Sequence, residues 1–185
     1  TFSYNIETVL LFNKIDQINN EEKKELNNFI SIYKKAGYSC MEISGKKNIN
    51  IDKLKKIMIN KSCVFSGHSG VGKSTLINKL DSSIDIKTSP ISESNLSGQH
   101  TTTFSEMYDL EFNSRIIDTP GIKGFGLYDV KNNELRDFFK EFTLVGNCKF
   151  NNCLHLQEPG CEVKCRVKKG DISKSRYNNY VELLS

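Results

Sequence analysis

A glycine-rich stretch carries residue types suited to binding phosphate. The segment GHSGVGKS (67–74) fits the pattern G-x-x-x-x-G-K-[ST], with a strand-like run before it and a helix-like run after it. Such glycines let successive backbone N–H groups surround a phosphate chain at a helix N-terminus. Lys73 can then reach the β- and γ-phosphates, and the Ser74 hydroxyl can bind Mg²⁺. The pattern predicts a phosphate-binding loop (P-loop) formed by Gly67, Ser69, Gly70, Val71, Gly72, Lys73, Ser74 and Thr75.

Two further stretches downstream of the P-loop have residue types that could complete a site for Mg²⁺ and phosphate. DTPG (118–121) follows the strand-like run RII, so the Asp118 carboxylate can hold Mg²⁺ through its water shell. The Gly121 amide can approach a γ-phosphate because glycine allows close backbone contact. Between this motif and the P-loop lies HTTT (100–103), where Thr102 is the favoured sensor of Mg²⁺ and γ-phosphate. Its two neighbouring threonines remain alternatives, as does a solvated loop.

The stretch NKID (13–16) has the residue types that read a guanine base. A carboxylate at Asp16 can accept two N–H bonds from guanine, whereas adenine has an acceptor in place of the ring N1–H and would leave the carboxylate unpaired. Asn13 is expected to tie this loop to the phosphate side, and the Lys14 stem to lie against the base. The stretch MEISGKK, a strand ending at Ser44, is expected to supply a backbone contact to the guanine carbonyl.

The order of these motifs is unusual. The base motif comes first, followed by Ser44, the P-loop, the threonine stretch and DTPG, whereas in ordinary small GTPases the glycine loop opens the domain. A circular permutation explains the order, and it is physically tolerable because termini of compact domains often lie close together. The sequence therefore predicts a circularly permuted GTPase domain.

Alternating strand-like and helix-like patterns must position the motifs. They predict an α/β fold with a mostly parallel sheet and helices on both faces. Strands are predicted at 8–12, 38–43, 62–66, 104–112 and 115–118. Helices are predicted at 21–36, 51–59, 73–80, 134–142 and 173–184, and loops at 96–103 and 121–133.

Four of the six cysteines crowd into a short C-terminal segment. The spacing Cys148-x4-Cys153-x-His155-x5-Cys161 offers three thiolates and one imidazole, a closed tetrahedral set typical of structural zinc. Cys165 is an alternative ligand, and disulfide pairing is the competing interpretation. The remaining two, at positions 40 and 63, lie singly in strand-like runs and are expected to be reduced core thiols.

Several segments together resemble one family over nearly the whole chain. They are FNKID, VFSGHSGVGKSTLIN, SGQHTTT, DTPGIKGFGL, CKFNNCLHLQEPGCEV and RYNNYVELL. Their combination resembles the RsgA/YjeQ family of circularly permuted GTPases that depend on the small ribosomal subunit. The resemblance implies a GTPase domain at 1–142, a small α-helical zinc domain at 143–185, and an OB-fold RNA-binding domain upstream. It also implies GTP or GDP, Mg²⁺ and one structural Zn²⁺ as ligands, and late small-subunit maturation as the function.

One position bears on catalysis. Many GTPases carry a glutamine directly after the motif that corresponds to DTPG, and this glutamine orients the attacking water. Here the residue is Ile122. Intrinsic hydrolysis should therefore be slow and stimulated by a partner. His100 could assist in cis, with a solvated position as its alternative, and the ribosome could assist in trans. A non-catalytic RNA-binding module stabilised by guanine nucleotide and a zinc-delivery GTPase are the competing functions.

Composition limits the remaining possibilities. The 185 residues are 37% hydrophobic with a net charge of +4, which allows one good core and a mildly basic surface. The tail VKCRVKKGDISKSR carries enough Lys and Arg to meet rRNA phosphates. No apolar run has the length of a membrane span, so no membrane partner is expected. We expect a monomer, located in the cytoplasm, or in an organelle matrix if a transit peptide lies upstream.

Overall fold

The computed structural model describes residues 5–86, 105–119 and 130–184. This part of the chain contains five strands and seven helices. The strands are β1 (Val9–Phe12), β2 (Ser39–Glu42), β3 (Ser62–Phe65), β4 (Glu106–Leu110) and β5 (Ser114–Asp118). The helices are α1 (Asn20–Lys35), α2 (Ile51–Met58), α3 (Lys73–Leu80), α4 (Asn132–Leu135), α5 (Lys140–Thr143), α6 (Glu162–Lys169) and α7 (Lys174–Leu184), with a 3-10 turn at Arg136–Phe138.

The chain divides into two compact units. We call the first the P-loop unit; it consists of Leu11–Ile18 and Glu42–Gly126. We call the second the cysteine unit; it consists of Thr1–Leu10, Asn19–Met41 and Leu127–Ser185. Helix α1 therefore belongs to the same unit as the C-terminal segment. The domain boundary expected after residue 142 stays a prediction.

Strands β3, β5 and β4 form a three-stranded sheet in that order, and β1 pairs with β2 in a second sheet. Strands β3 and β5 are parallel, as expected, whereas β4 and β5 are antiparallel. The antiparallel pair follows from its connection, because only residues 111–113 separate the two strands and Asn113 adopts a φ of 55°. A parallel pair would need a crossover of a dozen or more residues.

Strand β5 brings Asp118, the first residue of the DTPG motif, to the edge of the sheet where the P-loop begins. Its side chains alternate, with Ser114, Ile116 and Asp118 buried and Arg115 exposed. In the parallel register Asp118 lies opposite Phe65, the last residue of β3 before the loop. Carboxyl ends of parallel strands lie at one edge of a sheet, so Asp118 and the start of the P-loop lie at the same edge although more than 40 residues separate them.

Helix α1 has strong terminal signals, and its predicted bounds were nearly right. Asn19 is the N-cap, and its side chain accepts hydrogen bonds from the amides of Glu21 and Glu22. The Glu22 carboxylate accepts a hydrogen bond from the Asn19 amide at 2.8 Å, which completes a capping box. Gly37, in the left-handed region at φ 86°, lies just beyond the C-cap residue Ala36.

The predicted single helix at 134–142 is wrong. Helix α4, the 3-10 turn and helix α5 replace it, with a break at Phe139, whose backbone is extended (φ −96°, ψ 95°). The break lets the Phe139 ring stack on Phe142 at 5.1 Å and meet Tyr180 edge-on at 5.2 Å. Burial of aromatic surface outweighs the loss of continuous helical hydrogen bonds here.

Helix α6 was not predicted. It begins after Cys161, whose sulfur accepts a bond from the Lys164 amide and so caps the helix. Together with α7 it closes the core of the cysteine unit. The buried residues of this core are Leu135, Phe139, Phe142, Cys153, Cys161, Val163, Ile172 and Tyr180.

Candidate functional site

The P-loop encloses the side-chain amine of Lys73. This amine donates hydrogen bonds to the carbonyls of Gly67 at 2.8 Å and His68 at 3.3 Å. Burial lowers the pKa of Lys73, and the negative charge of Asp118 acts in the opposite direction. The two side chains that should meet the phosphates and Mg²⁺ therefore interact electrostatically.

Helix α3 begins where the loop ends. Gly72 is the N-cap residue with a φ of 94°, a conformation that favours glycine. Ser74 and Thr75 lie in the first turn and are half-buried, while Leu76 and Ile77 anchor the helix in the core. The positive end of the helix therefore faces the loop, as phosphate binding requires.

The base motif contacts the P-loop directly. The Asn13 side-chain amide donates to the Val71 carbonyl at 2.9 Å, and the Gly45 amide donates to the Asn13 oxygen at 3.2 Å. The Lys14 amine donates to the Gly70 carbonyl at 2.7 Å. A Cβ atom on Gly72 would lie 2.5 Å from the Asn13 nitrogen, so this close approach requires glycine there.

Asp16 and Ser44 also come together. The Ser44 hydroxyl donates to an Asp16 carboxylate oxygen at 2.5 Å and accepts from the Lys47 amide at 3.0 Å. This hydroxyl lowers the pKa of Asp16, with smaller help from nearby lysines. The Ser44 amide donates to the Ile49 carbonyl, so the hydroxyl, rather than the backbone, is the group of Ser44 that reaches the base motif.

The four predicted zinc ligands cluster. Their ligand atoms, from Cys148, Cys153, His155 and Cys161, all lie within 4.8 Å of one another. His155 Nδ1 is 3.5 Å from Cys148 Sγ and 3.4 Å from Cys161 Sγ. Three of the four residues are buried, and burial raises the pKa of the Cys153 thiol to about 12.

This donor set fits a tetrahedral metal ion. A cation would offset the burial that disfavours the thiolate form, and three sulfurs with one imidazole nitrogen are ligands that zinc prefers. Cys165, the alternative ligand, is a free thiol outside this group. Disulfides are not formed among the described cysteines.

The chain is similar to GTPases of one family. The model of the RsgA GTPase family matches residues 1–128. A small ribosomal subunit biogenesis GTPase RsgA from Flavobacterium johnsoniae is 52% identical over 98% of this chain. The chain belongs to the RsgA GTPase family. A second RsgA, from Christiangramia forsetii, is 50% identical over 98% of this chain. The chain spans 56% and 58% of these two relatives.

Two solved structures are similar in fold to this chain. YjeQ from Thermotoga maritima superposes with a TM-score of 0.81 at 30% identity, covering 99% of this chain and 60% of that one. YloQ, a circularly permuted GTPase, superposes with a TM-score of 0.73 at 25% identity, covering 95% of this chain and 55% of that one. The permuted order deduced from the motifs is therefore confirmed.

Several predicted residues lie outside the described part of the chain. They are His100, Thr102, Gly121 and the position after the motif, Ile122. Their assignments as catalytic, magnesium-binding and phosphate-sensing groups stay predictions from sequence. Within the described ranges, no helix combines the length and apolar character that a bilayer crossing requires.

Sequence reasoning missed the residues that hold the two sites in shape. The Gly45 amide donates to the Asn13 side-chain oxygen and so holds the base motif in place. Arg136 donates to the carbonyls of Asn151 and Cys153, both at 2.9 Å. The hydroxyls of Tyr177 and Tyr180 also donate to backbone carbonyls near the cysteine cluster. Contacts of a side chain with a distant backbone leave no pattern of spacing, so only tyrosines three apart on the last helix could have hinted at them.

Proposed function

We propose that this chain binds and hydrolyses GTP as part of a protein acting in late maturation of the small ribosomal subunit. The observation that carries the proposal is the pair of hydrogen bonds from Asn13 and Lys14 to the P-loop carbonyls. They join a base motif to a phosphate motif within one compact unit. The name of the 52% identical relative, a small ribosomal subunit biogenesis GTPase, supplies the process.

The base-reading role falls to Asp16. Its carboxylate accepts the two guanine N–H groups, and the Ser44 hydroxyl orients it at 2.5 Å. The positive charges of Lys46 and Lys47 help to keep it ionised, as their lowering of its pKa indicates. A deprotonated carboxylate is the form that accepts both bonds, so these neighbours favour guanine over adenine.

The phosphate-binding role falls to the P-loop and Lys73. Backbone amides of Gly67, Ser69, Gly70, Val71 and Gly72, with Thr75 beyond them, form the cradle. When phosphate binds, the Lys73 ammonium exchanges its bonds to loop carbonyls for phosphate oxygens, where charge develops during transfer. Thr102, His100 and Gly121 are assigned to the γ-phosphate side from sequence.

Magnesium would be held by Ser74, Thr102 and, through water, Asp118. Bound there, it would neutralise charge on the phosphates. The location of Asp118 favours this assignment, because its buried carboxylate lies at the end of β5, opposite the last residue of β3 before the P-loop.

The cysteine unit would hold one structural zinc ion through Cys148, Cys153, His155 and Cys161. A closed set of four protein ligands leaves no position for substrate, which favours a structural over a catalytic or delivery role. We assign residues 1–142 to the GTPase and 143–185 to the zinc module, with rRNA as the partner of the basic tail. The protein would act as a monomer where small subunits mature.

Turnover of the full-length protein with and without purified small subunits tests the function. We expect slow hydrolysis alone, because Ile122 lacks an amide to orient water, and clear stimulation by subunits. Stimulation should decrease steeply between two salt concentrations if Lys and Arg contact RNA phosphates. Lys73→Ala is the inactive control.

Two other outcomes would redirect the assignment. Subunits that leave the rate unchanged, while Lys73→Ala still abolishes it, would indicate a GTPase with a different partner. Subunit binding with no hydrolysis under any condition would favour the non-catalytic RNA-binding module. GTP-dependent zinc exchange would favour zinc delivery.

A further inference from the structure

His155 has a strained backbone. Its φ is 61°, in the left-handed region that residues other than glycine adopt only at an energetic cost. The reason lies in the spacing, because only Leu154 separates His155 from Cys153. With this backbone conformation, the ring nitrogen nearer the backbone, Nδ1, lies 3.5 Å from Cys148 Sγ and 3.4 Å from Cys161 Sγ. Strain of this kind persists only when surrounding contacts fix the backbone.

Three side chains outside the metal-ligand set provide such contacts. The Tyr177 hydroxyl donates to the carbonyl of His155 itself at 2.6 Å. The Tyr180 hydroxyl donates to the carbonyl of the preceding residue, Leu154, at 2.7 Å. The Glu158 carboxylate accepts from the amides of Leu154 and Leu156, at 2.7 and 2.9 Å. Peptide groups on both sides of the strained residue are therefore held by hydrogen bonds.

The two tyrosines pack in and against the core of the cysteine unit. Tyr180 is 0% exposed, and its ring meets Phe142 edge-on at 4.9 Å. Tyr177 lies three residues earlier on α7, so both rings project from nearly the same face of the helix. Phe142 also contacts the His155 ring edge-on at 5.4 Å. Tyr180 is thus fixed within a packed aromatic core, and the half-buried Tyr177 packs against that core.

We propose that Tyr177, Tyr180 and Glu158 are positioning residues that hold His155 as the nitrogen ligand of the metal ion. The inference rests on the proposed zinc site. None of the three cysteines has a positive φ, so loss of a positioning residue should weaken the nitrogen ligand first. Loss of an outer-shell partner typically lowers metal affinity 10- to 100-fold.

Tyr177→Phe in the full-length protein is the most direct test, because it removes one hydroxyl and keeps the ring. Cobalt(II) replaces zinc as a spectroscopic probe, and affinity is measured by competition with a chromogenic chelator. We expect 10- to 100-fold weaker binding. We also expect the ligand-field bands to move toward those of His155→Ala, while thiolate-to-cobalt charge transfer keeps its three-thiolate intensity. Glu158→Gln should move the same bands.

Tyr33→Phe is the matched control, because this ring lies in the cysteine unit on α1, against Arg176. It should keep wild-type affinity and spectrum. Wild-type spectra and affinity for both Tyr177→Phe and Glu158→Gln would overturn the positioning role. Loss of thiolate charge transfer in step with the ligand-field bands would overturn it too, since general unfolding loses all ligands together. A wild-type protein that binds no cobalt would instead overturn the metal site itself.

Discussion

The two candidate sites are built in opposite ways. In the P-loop unit, the contacting groups come from far apart in the chain, since Asn13 and Val71 are separated by 58 residues. The base-motif side chains are only half-buried, and the joining groups are mostly backbone carbonyls and amides. In the cysteine unit, Cys148 and Cys161 are 13 residues apart, and the cysteine ligands lie in or against the hydrophobic core.

Because of this difference, substitutions in the P-loop unit should mainly affect ligand binding, whereas substitutions of the cysteine ligands should also affect folding. A polar contact at the edge of a sheet can be lost while the sheet and its helices stay packed, so its loss should affect ligand affinity first. A buried ligand such as Cys153, which is 1% exposed, contributes both a metal bond and core packing. Its loss should therefore affect the fold of its unit.

Removal of the metal ion should have the largest effect that distinguishes the cysteine unit from the P-loop unit. Cys153→Ser, or chelation of the wild type, should abolish one equivalent of zinc and unfold the C-terminal segment, because structural zinc contributes about 10–16 kcal/mol in small sites. Guanine-nucleotide affinity should change less than about tenfold (about 1.4 kcal/mol), since the contacts of Asn13 and Lys14 lie within the P-loop unit. Elemental analysis, circular dichroism and nucleotide titration measure the three quantities.

Cys165→Ser is the control for that experiment. The thiol lies outside the ligand cluster, so zinc content should stay at one per chain. Full zinc occupancy in Cys148→Ser would contradict the ligand assignment. A loss of nucleotide affinity as large as the loss of metal would show that the two sites depend on each other, and the contrast between them would fail.

The second test compares a buried ion pair with an exposed one. Arg176 donates two hydrogen bonds to Glu141, at 2.6 and 3.1 Å, with side chains 16% and 5% exposed. Glu141→Gln should destabilise the cysteine unit by about 3 kcal/mol or more, because a buried guanidinium loses its counter-charge. The Arg176 guanidinium would still lie over the rings of Phe139 and Tyr33.

Asp109→Asn provides the matched change in the P-loop unit. Its partner is Arg115 at 2.7 Å, but the side chains are 79% and 60% exposed. Exposed pairs contribute about 0–1 kcal/mol, so we expect little change in thermal unfolding. Equal losses from both substitutions would mean that burial does not distinguish the two units.

The sequence predicted what depends on chemistry and spacing. The P-loop helix, the contact of Asn13 with the P-loop and the cluster of Cys148, Cys153, His155 and Cys161 each follow from residue types at set intervals, and α1 follows from its cap at Asn19. The antiparallel β4–β5 pair and the break at Phe139 were missed. A short connection and the packing of three aromatic rings decided them, and neither appears as periodicity.

The third test concerns base recognition. Asp16→Asn should weaken GTP binding by about two orders of magnitude or more, because the amide offers a donor where guanine also offers donors. Xanthine nucleotides should bind better, since their 2-carbonyl can accept from the new amide. Titration with both nucleotides measures the change. Unchanged GTP affinity would exclude Asp16 as the residue that recognises the base. An unfolded variant would contradict the expectation that a polar contact in the P-loop unit can be lost without loss of the fold.

The smallest effect is also the most specific to this structure. Gly70 and Gly72 both have positive φ, at 80° and 94°, so alanine at either is strained by about 1–2 kcal/mol. Around Gly70 nothing lies within 4 Å of an added Cβ, but at Gly72 the Asn13 nitrogen is 2.5 Å away. Gly72→Ala should therefore lower the unfolding temperature of the ligand-free protein more than Gly70→Ala. Adding Asn13→Ala should recover part of that excess in Gly72→Ala and none in Gly70→Ala. If the two alanine variants unfold alike, the base motif does not press against the P-loop as these distances require.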